Sequence, residues 1–87
     1  MRVTKRQIES KIIAVQELAT ELGVIEIPWS NGATFEGLHL GSAYGGYRLE
    51  ATIAGSTGVV DLTAGYEPLK MLLPYLRGLM VGLKAGR

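Results

Sequence analysis

The chain has 87 residues, a length that predicts one domain covering residues 1–87. Its formal net charge is +1 and its basic residues cluster only weakly, which excludes a dedicated binder of duplex nucleic acid. Because it has no cysteine, disulfides, thiol nucleophiles and thiolate metal sites are excluded as well. Hydrophobic residues make up 47% of the chain, and a surplus of this kind in a short chain predicts a homo-oligomer.

An amphipathic helix is predicted over residues 4–22. Thr4 and Gln7 have the spacing of a capping box at its start, and Gly23 suits a left-handed residue at its end. Its apolar positions recur at steps of three and four, as one buried helix face requires. They are Ile8, Ile12, Val15, Ala19 and Leu22.

Two extended segments are predicted after this helix. Residues 24–29 form a short piece that suits a sheet edge, because it contains a proline. Residues 34–40 form a strand with Leu38 and Leu40 on one face and Phe35 on the other.

The most regular strand is predicted over residues 47–53. Apolar residues alternate there with polar ones, which is the period of a half-buried strand. Its polar positions are Arg48, Glu50 and Thr52. A hairpin turn at residues 55–58 then leads into a returning strand at 59–62.

A second helix is predicted from Pro68 to about Lys84, with a bend at Pro74. Gly78 and Gly82 in this helix predict a close neighbour, either the first helix or a second copy of the chain. The element order favours an α+β fold, in which a small antiparallel sheet of three to four strands packs an N-terminal and a C-terminal helix on one face.

The stretch "GSAYGGYRLE" at residues 41–50 is the main candidate for a binding site. One interpretation is a hairpin loop alone, with Gly45 and Gly46 both at positive φ. The other is a ligand surface, because Tyr44 and Tyr47 supply rings for stacking and Arg48 supplies a planar cation. Bare amides at the two glycines add an anion-binding nest.

His39 and Thr52 are weaker members of this candidate site. The two residues are predicted on neighbouring strands. They either line the polar base of a ligand site or belong to a solvent-exposed sheet face with charge pairs between strands. Catalysis is not indicated, because no nucleophile, base and orienting group stand in a recognisable pattern. We therefore expect no enzyme and no cofactor. No metal site is expected because the chain has one histidine and no cysteine, and no membrane association because its longest apolar run, residues 71–83, is too short to span a bilayer.

The motifs "AYGGYRLE", "GVVDLTAG" and "YLRGLMVGLK" resemble those of a loose group of small proteins encoded by phages and prophages. The resemblance covers roughly residues 38–84. It implies an accessory protein that disables a host defence by binding, in the cytoplasm of an infected or lysogenic bacterium.

The sequence thus predicts a non-enzymatic anti-defence protein that sequesters a small, anionic, nucleotide-like ligand through residues 44–48, His39 and Thr52. One alternative is a protein–protein inhibitor that uses the exposed sheet face, or Trp29 and Phe35, to bind a host protein. A small enzyme with His39 as general base is a further alternative.

Overall fold

Two helices pack on one face of a three-stranded antiparallel sheet. The computed structural model describes residues 2–27, 30, 32–53, 55, 58–63 and 65–86. The elements are α1 (Lys5–Leu22), β1 (Ala33–Ala43), β2 (Gly46–Ile53), β3 (Val59–Asp61), a 3₁₀ turn (Leu69–Met71) and α2 (Leu72–Ala85), with the strands in the order β1-β2-β3. The predicted α+β fold is confirmed.

Helix α1 begins with the predicted capping box. The backbone N–H of Gln7 donates to the Thr4 hydroxyl at 3.2 Å, and that of Thr4 donates to the Gln7 side chain at 2.8 Å. Gly23 ends the helix at φ 74°. Two amide groups that have no partner inside the helix are therefore satisfied locally, as the spacing of Thr4 and Gln7 predicts.

The core lies between the helices and one face of the sheet. Both helices bury a stripe of side chains there, and β2 contributes Leu49 and Ala51. The buried residues of the helices are Ile8, Ile12, Val15 and Ala19 of α1, and Leu72, Leu76, Leu79 and Leu83 of α2. The opposite face of the sheet, named the open face here, therefore has no helix over it.

Strand β1 departs from the predicted alternation. Ala33 pairs with Ile53 and Leu38 pairs with Ala51, so β1 holds extra residues between these two pairs. Such a bulge shifts the two-residue period. Phe35 and Leu38 both reach the core as a result, each with 3% of its surface exposed, and the prediction that they lie on opposite faces is wrong.

The predicted extended segment at residues 24–29 is an isolated bridge, not a fourth strand. Glu26 pairs with Thr34, and the backbone N–H of Phe35 donates to the Ile25 carbonyl at 3.0 Å. Pro28 and Trp29 lie outside the described residues, as do Ser56 and Thr57 of the predicted hairpin turn.

The second helical segment is divided. Pro68 precedes the 3₁₀ turn, and α2 begins only at Leu72. Pro74 therefore lies in the first turn of α2, where a backbone N–H would have no acceptor inside the helix. Pro74 is thus the third residue of α2, because the α-helix starts later than its apolar pattern suggests. Within the described residues, neither helix is long and apolar enough to cross a membrane.

Gly78 and Gly82 do not contact α1. Both are exposed, and a Cβ atom added to either would meet no atom within 4 Å apart from the neighbouring residues and backbone of its own helix. The interpretation that they allow close approach of the first helix is therefore wrong. A second copy of the chain remains the alternative.

Candidate functional site

The β1–β2 hairpin turns through Tyr44 and Gly45. Ala43 pairs with Gly46 across the turn, and the two central residues have φ 52° and 74°. Positive φ at both positions is the geometry of a type I′ turn, which favours asparagine followed by glycine. The two left-handed residues are thus Tyr44 and Gly45. Gly46 does not have positive φ, so that part of the prediction is wrong.

Tyr44 projects from the hairpin turn into solvent. The residue is 97% exposed, the largest value among the exposed large hydrophobic residues. An L-residue in the left-handed region is disfavoured by about 1–2 kcal/mol. A bulky, exposed ring at a disfavoured backbone position is therefore not explained by the stability of the turn.

Tyr66 joins Tyr44 and Arg48 in one cluster. The rings of Tyr44 and Tyr66 meet edge to face, with centroids 5.6 Å apart. The guanidinium carbon of Arg48 lies 4.4 Å from the centroid of the Tyr66 ring. These three residues, named the tyrosine–arginine cluster, form one surface at the hairpin end of the open face.

Arg48 is also paired with two carboxylates. Its Nε donates to Glu50 Oε2 at 2.6 Å, and its Nη2 lies 3.2 Å from Asp61 Oδ1. The side chain is 25% exposed. The hydrogen bond to Glu50 is the main cause that raises the pKa of Arg48. Its charge is therefore neutralised within the open face.

His39 extends this network across the sheet. Its Nε2 lies 3.1 Å from Glu50 Oε1, and its Nδ1 lies 2.8 Å from the Gly37 carbonyl oxygen. Because both ring nitrogens face acceptors, only the doubly protonated imidazole can donate to both. Gly41 leaves the space for the Glu50 carboxylate, since a Cβ at Gly41 would stand 2.6–2.8 Å from its atoms.

Acidification should weaken the fold through Glu50. The hydrogen bond from Arg48, and a second contact from His39, lower the pKa of this carboxyl. Its stabilising contribution is thus complete above the unfolded-state pKa and is lost as pH falls through the lower folded-state pKa. We expect Glu50→Gln to flatten the acid limb of the stability curve, measured by urea unfolding at a series of pH values.

Glu17 provides the matched control for this prediction. It is an exposed carboxylate on α1 that has no ion pair with any described residue. Glu17→Gln should leave the acid limb unchanged. Equal slopes for wild type and Glu50→Gln would contradict the proposed contribution of Glu50.

The structure divides the predicted site residues between two faces. Tyr44, Arg48, His39 and Thr52 lie on the open face, where the Thr52 hydroxyl donates to the Gly37 carbonyl at 3.3 Å. Tyr47 instead packs against the core, as strand alternation requires. Gly45 contributes only the turn, since a Cβ there would meet nothing within 4 Å.

Gly46 is buried against the segment before α2. A Cβ at Gly46 would stand 3.0 Å from the carbonyl carbon of Tyr66 and 3.1 Å from the nitrogen of Glu67. Two backbone hydrogen bonds between Tyr47 and Glu67, at 2.8 and 2.7 Å, fix this segment. Gly46 therefore places Tyr66 beside the hairpin.

Sequence reasoning missed Tyr66. It stands in "TAGYEP", a connecting stretch with no strand or helix period to assign it a face. Asp61 was assigned to the last strand, but nothing in the sequence identifies it as a partner of Arg48. In the part of the chain that the structure describes, no group of three or more His, Asp or Glu side chains could hold a metal ion.

Comparisons of the chain with protein-family models, with curated proteins and with solved structures find no match.

Proposed function

We propose that this chain is a non-enzymatic binding protein that engages a partner protein through its open sheet face. The observation that carries the proposal is Tyr44. It projects almost fully into solvent from a turn that disfavours it, beside Tyr66 and Arg48. Tyrosine and arginine are the residue types that most often dominate protein–protein binding energy.

The charges of the open face favour a protein over a small anion. Arg48 is shared between Glu50 and Asp61, so carboxylates outnumber the permanent cation in the network. An anionic nucleotide that approaches Arg48 would be repelled by these two carboxylates. A partner protein could instead bury the Tyr44 ring and leave the ion pairs of Arg48 intact. Its polar groups would then surround the ring as the rim of the interface.

The phage resemblance supplies a biological context for this proposal. In that context the partner is a component of a bacterial host defence, and binding in the host cytoplasm blocks it. Such an inhibitor needs no catalytic group, because occupancy of the target surface is sufficient.

The test compares affinity-tagged wild type with Tyr44→Ala in extracts of bacteria. We expect quantitative mass spectrometry to find a protein that wild type retains and Tyr44→Ala loses. Ile13→Ala, which truncates a 53% exposed side chain on α1, should retain it. If Tyr44→Ala and wild type retain the same proteins, the open-face proposal is rejected.

A panel of cyclic and linear nucleotides tests the sequestration alternative. A ligand that binds only the folded state raises the melting temperature, by a free energy that grows with its concentration. We expect no shift at millimolar nucleotide. A shift that Arg48→Ala removes would favour sequestration over protein binding.

We also propose that the chain forms a homo-oligomer through the exposed flank of α2. Gly78 and Gly82 lie there beside Val81, which is 66% exposed. Small residues let a second backbone approach closely, whereas glycine inside a helix disfavours the monomer by roughly 1 kcal/mol relative to alanine. We infer that packing against a helix of a second copy of the chain compensates for this cost.

Replacing both Gly78 and Gly82 with leucine should abolish self-association and leave the monomer folded. The Cβ atoms of the new side chains meet nothing within 4 Å outside their own helix, and leucine is the better helix former. Sedimentation velocity and thermal unfolding measure the two effects separately. A wild-type protein that stays monomeric at high micromolar concentration would exclude this interface.

A further inference from the structure

The helical layer and the sheet layer carry opposite charge. Between residues 24 and 67 the chain has one permanent cation, Arg48, against several carboxylates. Those carboxylates are Glu26, Glu36, Glu50, Asp61 and Glu67. The remaining basic residues that the structure describes belong to α1, α2 and the segments beside them: Arg2, Lys5, Arg6, Lys11, Lys70, Arg77 and Lys84. Helix α1 also carries three carboxylates, Glu9, Glu17 and Glu21, so the helical layer keeps a net positive charge.

A groove runs between α1 and α2 within this basic layer. Its volume is about 670 Å³, and apolar groups of Val3, Ala14 and Leu73 contribute to its lining. Arg6, Lys11 and Arg77 line it as well. This interhelical groove has no acidic residue in its lining, and none of its three cations forms an ion pair within the described part of the chain.

We propose that the interhelical groove binds an acidic amphipathic helix of a partner protein. A helix that enters such a groove places apolar side chains three and four residues apart on the floor. Its carboxylates then flank that stripe and reach Arg6, Lys11 and Arg77. Because these cations form no ion pair with any described residue, the carboxylates displace no ion pair that the structure shows.

Other anionic partners fit the groove less well. A bilayer surface is bound by apolar side chains that protrude, whereas Val3, Ala14 and Leu73 are half-buried between the helices. A nucleic acid needs a longer track of cations and leaves an apolar floor unused. The groove lies on the helical layer and the tyrosine–arginine cluster on the open face, so this inference does not depend on the function proposed above.

The test uses a fluorescein-labelled synthetic peptide of helical design, with leucines on one face and glutamates on the others. We expect polarisation titrations to show binding in roughly the micromolar range. A scrambled peptide of the same composition, and a peptide with lysine in place of glutamate, should each bind at least about tenfold more weakly. The first control keeps the charge, and the second keeps the apolar face.

Protein variants locate the binding. Arg6→Glu combined with Arg77→Glu should weaken binding of the acidic peptide at least about tenfold. Lys5→Glu combined with Lys70→Glu makes the same charge change outside the groove and should alter binding less than about twofold. Ala14→Phe, which fills the groove without changing charge, should also weaken binding, with circular dichroism confirming an intact fold.

Three outcomes would overturn the proposal. One is no binding of the acidic peptide at millimolar concentration. A second is equal binding of the scrambled peptide, which would show a non-specific charge effect. The third is binding of phosphatidylglycerol vesicles that the groove variants abolish while peptide binding is unaffected, since the groove would then be a lipid site.

Discussion

Tyr44→Asn should stabilise the hairpin while removing binding through the open face. Asparagine tolerates the left-handed conformation at this position and, followed by glycine, is the preferred type I′ sequence. We expect a gain of roughly 1 kcal/mol in the free energy of unfolding. The edge-to-face contact with Tyr66 is lost, but it buries little of a residue that is 97% exposed.

The binding effect of this change should be larger than its effect on stability. A central aromatic anchor contributes about 2 kcal/mol or more to an interface, which corresponds to roughly a thirtyfold loss of affinity. Urea unfolding and retention of the partner measure the two quantities on the same samples. Tyr44→Phe is the control, because it keeps the ring and the unfavourable φ, and should change neither quantity strongly.

Opposite signs for stability and binding would show that Tyr44 is present for function. If Tyr44→Asn lowers stability, the ring supports the fold through Tyr66 and the turn argument fails. If it keeps the partner, the binding surface does not include Tyr44.

The helices and β2 could be predicted because their burial follows a fixed period. Ile8, Ile12, Val15 and Ala19 recur along α1, and Leu49 and Ala51 alternate with charged residues along β2. Each of these elements has one buried side, so the apolar positions alone determine the face. The capping box is equally local, because its two residues satisfy each other's backbone.

The features that sequence reasoning missed depend on contacts between distant residues. The bulge in β1 is defined by pairing with β2, so Phe35 and Leu38 could not be assigned to one face from their spacing. The start of α2 at Leu72 could not be placed from the sequence, because the 3₁₀ turn and the α-helix share one apolar pattern. A hydrophobic period alone specifies neither the register between two strands nor the residue at which a helix begins.

The candidate site could be predicted only in part, because some of its residues are positioned by contacts between distant segments. The alternation along residues 47–53 correctly separates Arg48 from Tyr47. It contains no information on Tyr66, which reaches Arg48 only because Glu67 pairs with Tyr47 and Gly46 leaves room. The motif around Tyr44 was therefore recognised, but half of its aromatic surface comes from another segment.

Gly46→Val should separate that segment from the hairpin. The valine Cβ would stand 3.0 Å from the carbonyl carbon of Tyr66, and its methyl groups would extend further into the same backbone. Forcing extra carbons into a packed site destabilises a protein by about 1–3 kcal/mol. Because a domain of this size has a total stability of roughly 4–13 kcal/mol, the loss should be evident in urea unfolding.

The same change should dismantle the tyrosine–arginine cluster. When the segment moves, both hydrogen bonds between Tyr47 and Glu67 weaken, and Tyr66 withdraws from Arg48 and Tyr44. We expect NMR cross-peaks between the Tyr66 ring and the Arg48 side chain to disappear, and partner retention to fall with them.

Gly45→Asn is the matched control for Gly46→Val. Gly45 has positive φ and open space around it, and asparagine accepts that conformation, so this change should alter stability by only a few tenths of a kcal/mol. It should also leave the Tyr66–Arg48 cross-peaks in place. If both variants lose stability equally, the hairpin needs glycine only for turning the chain. If only Gly46→Val loses stability and the Tyr66–Arg48 cross-peaks, Gly46 is required because the backbone of Tyr66 and Glu67 packs directly against it.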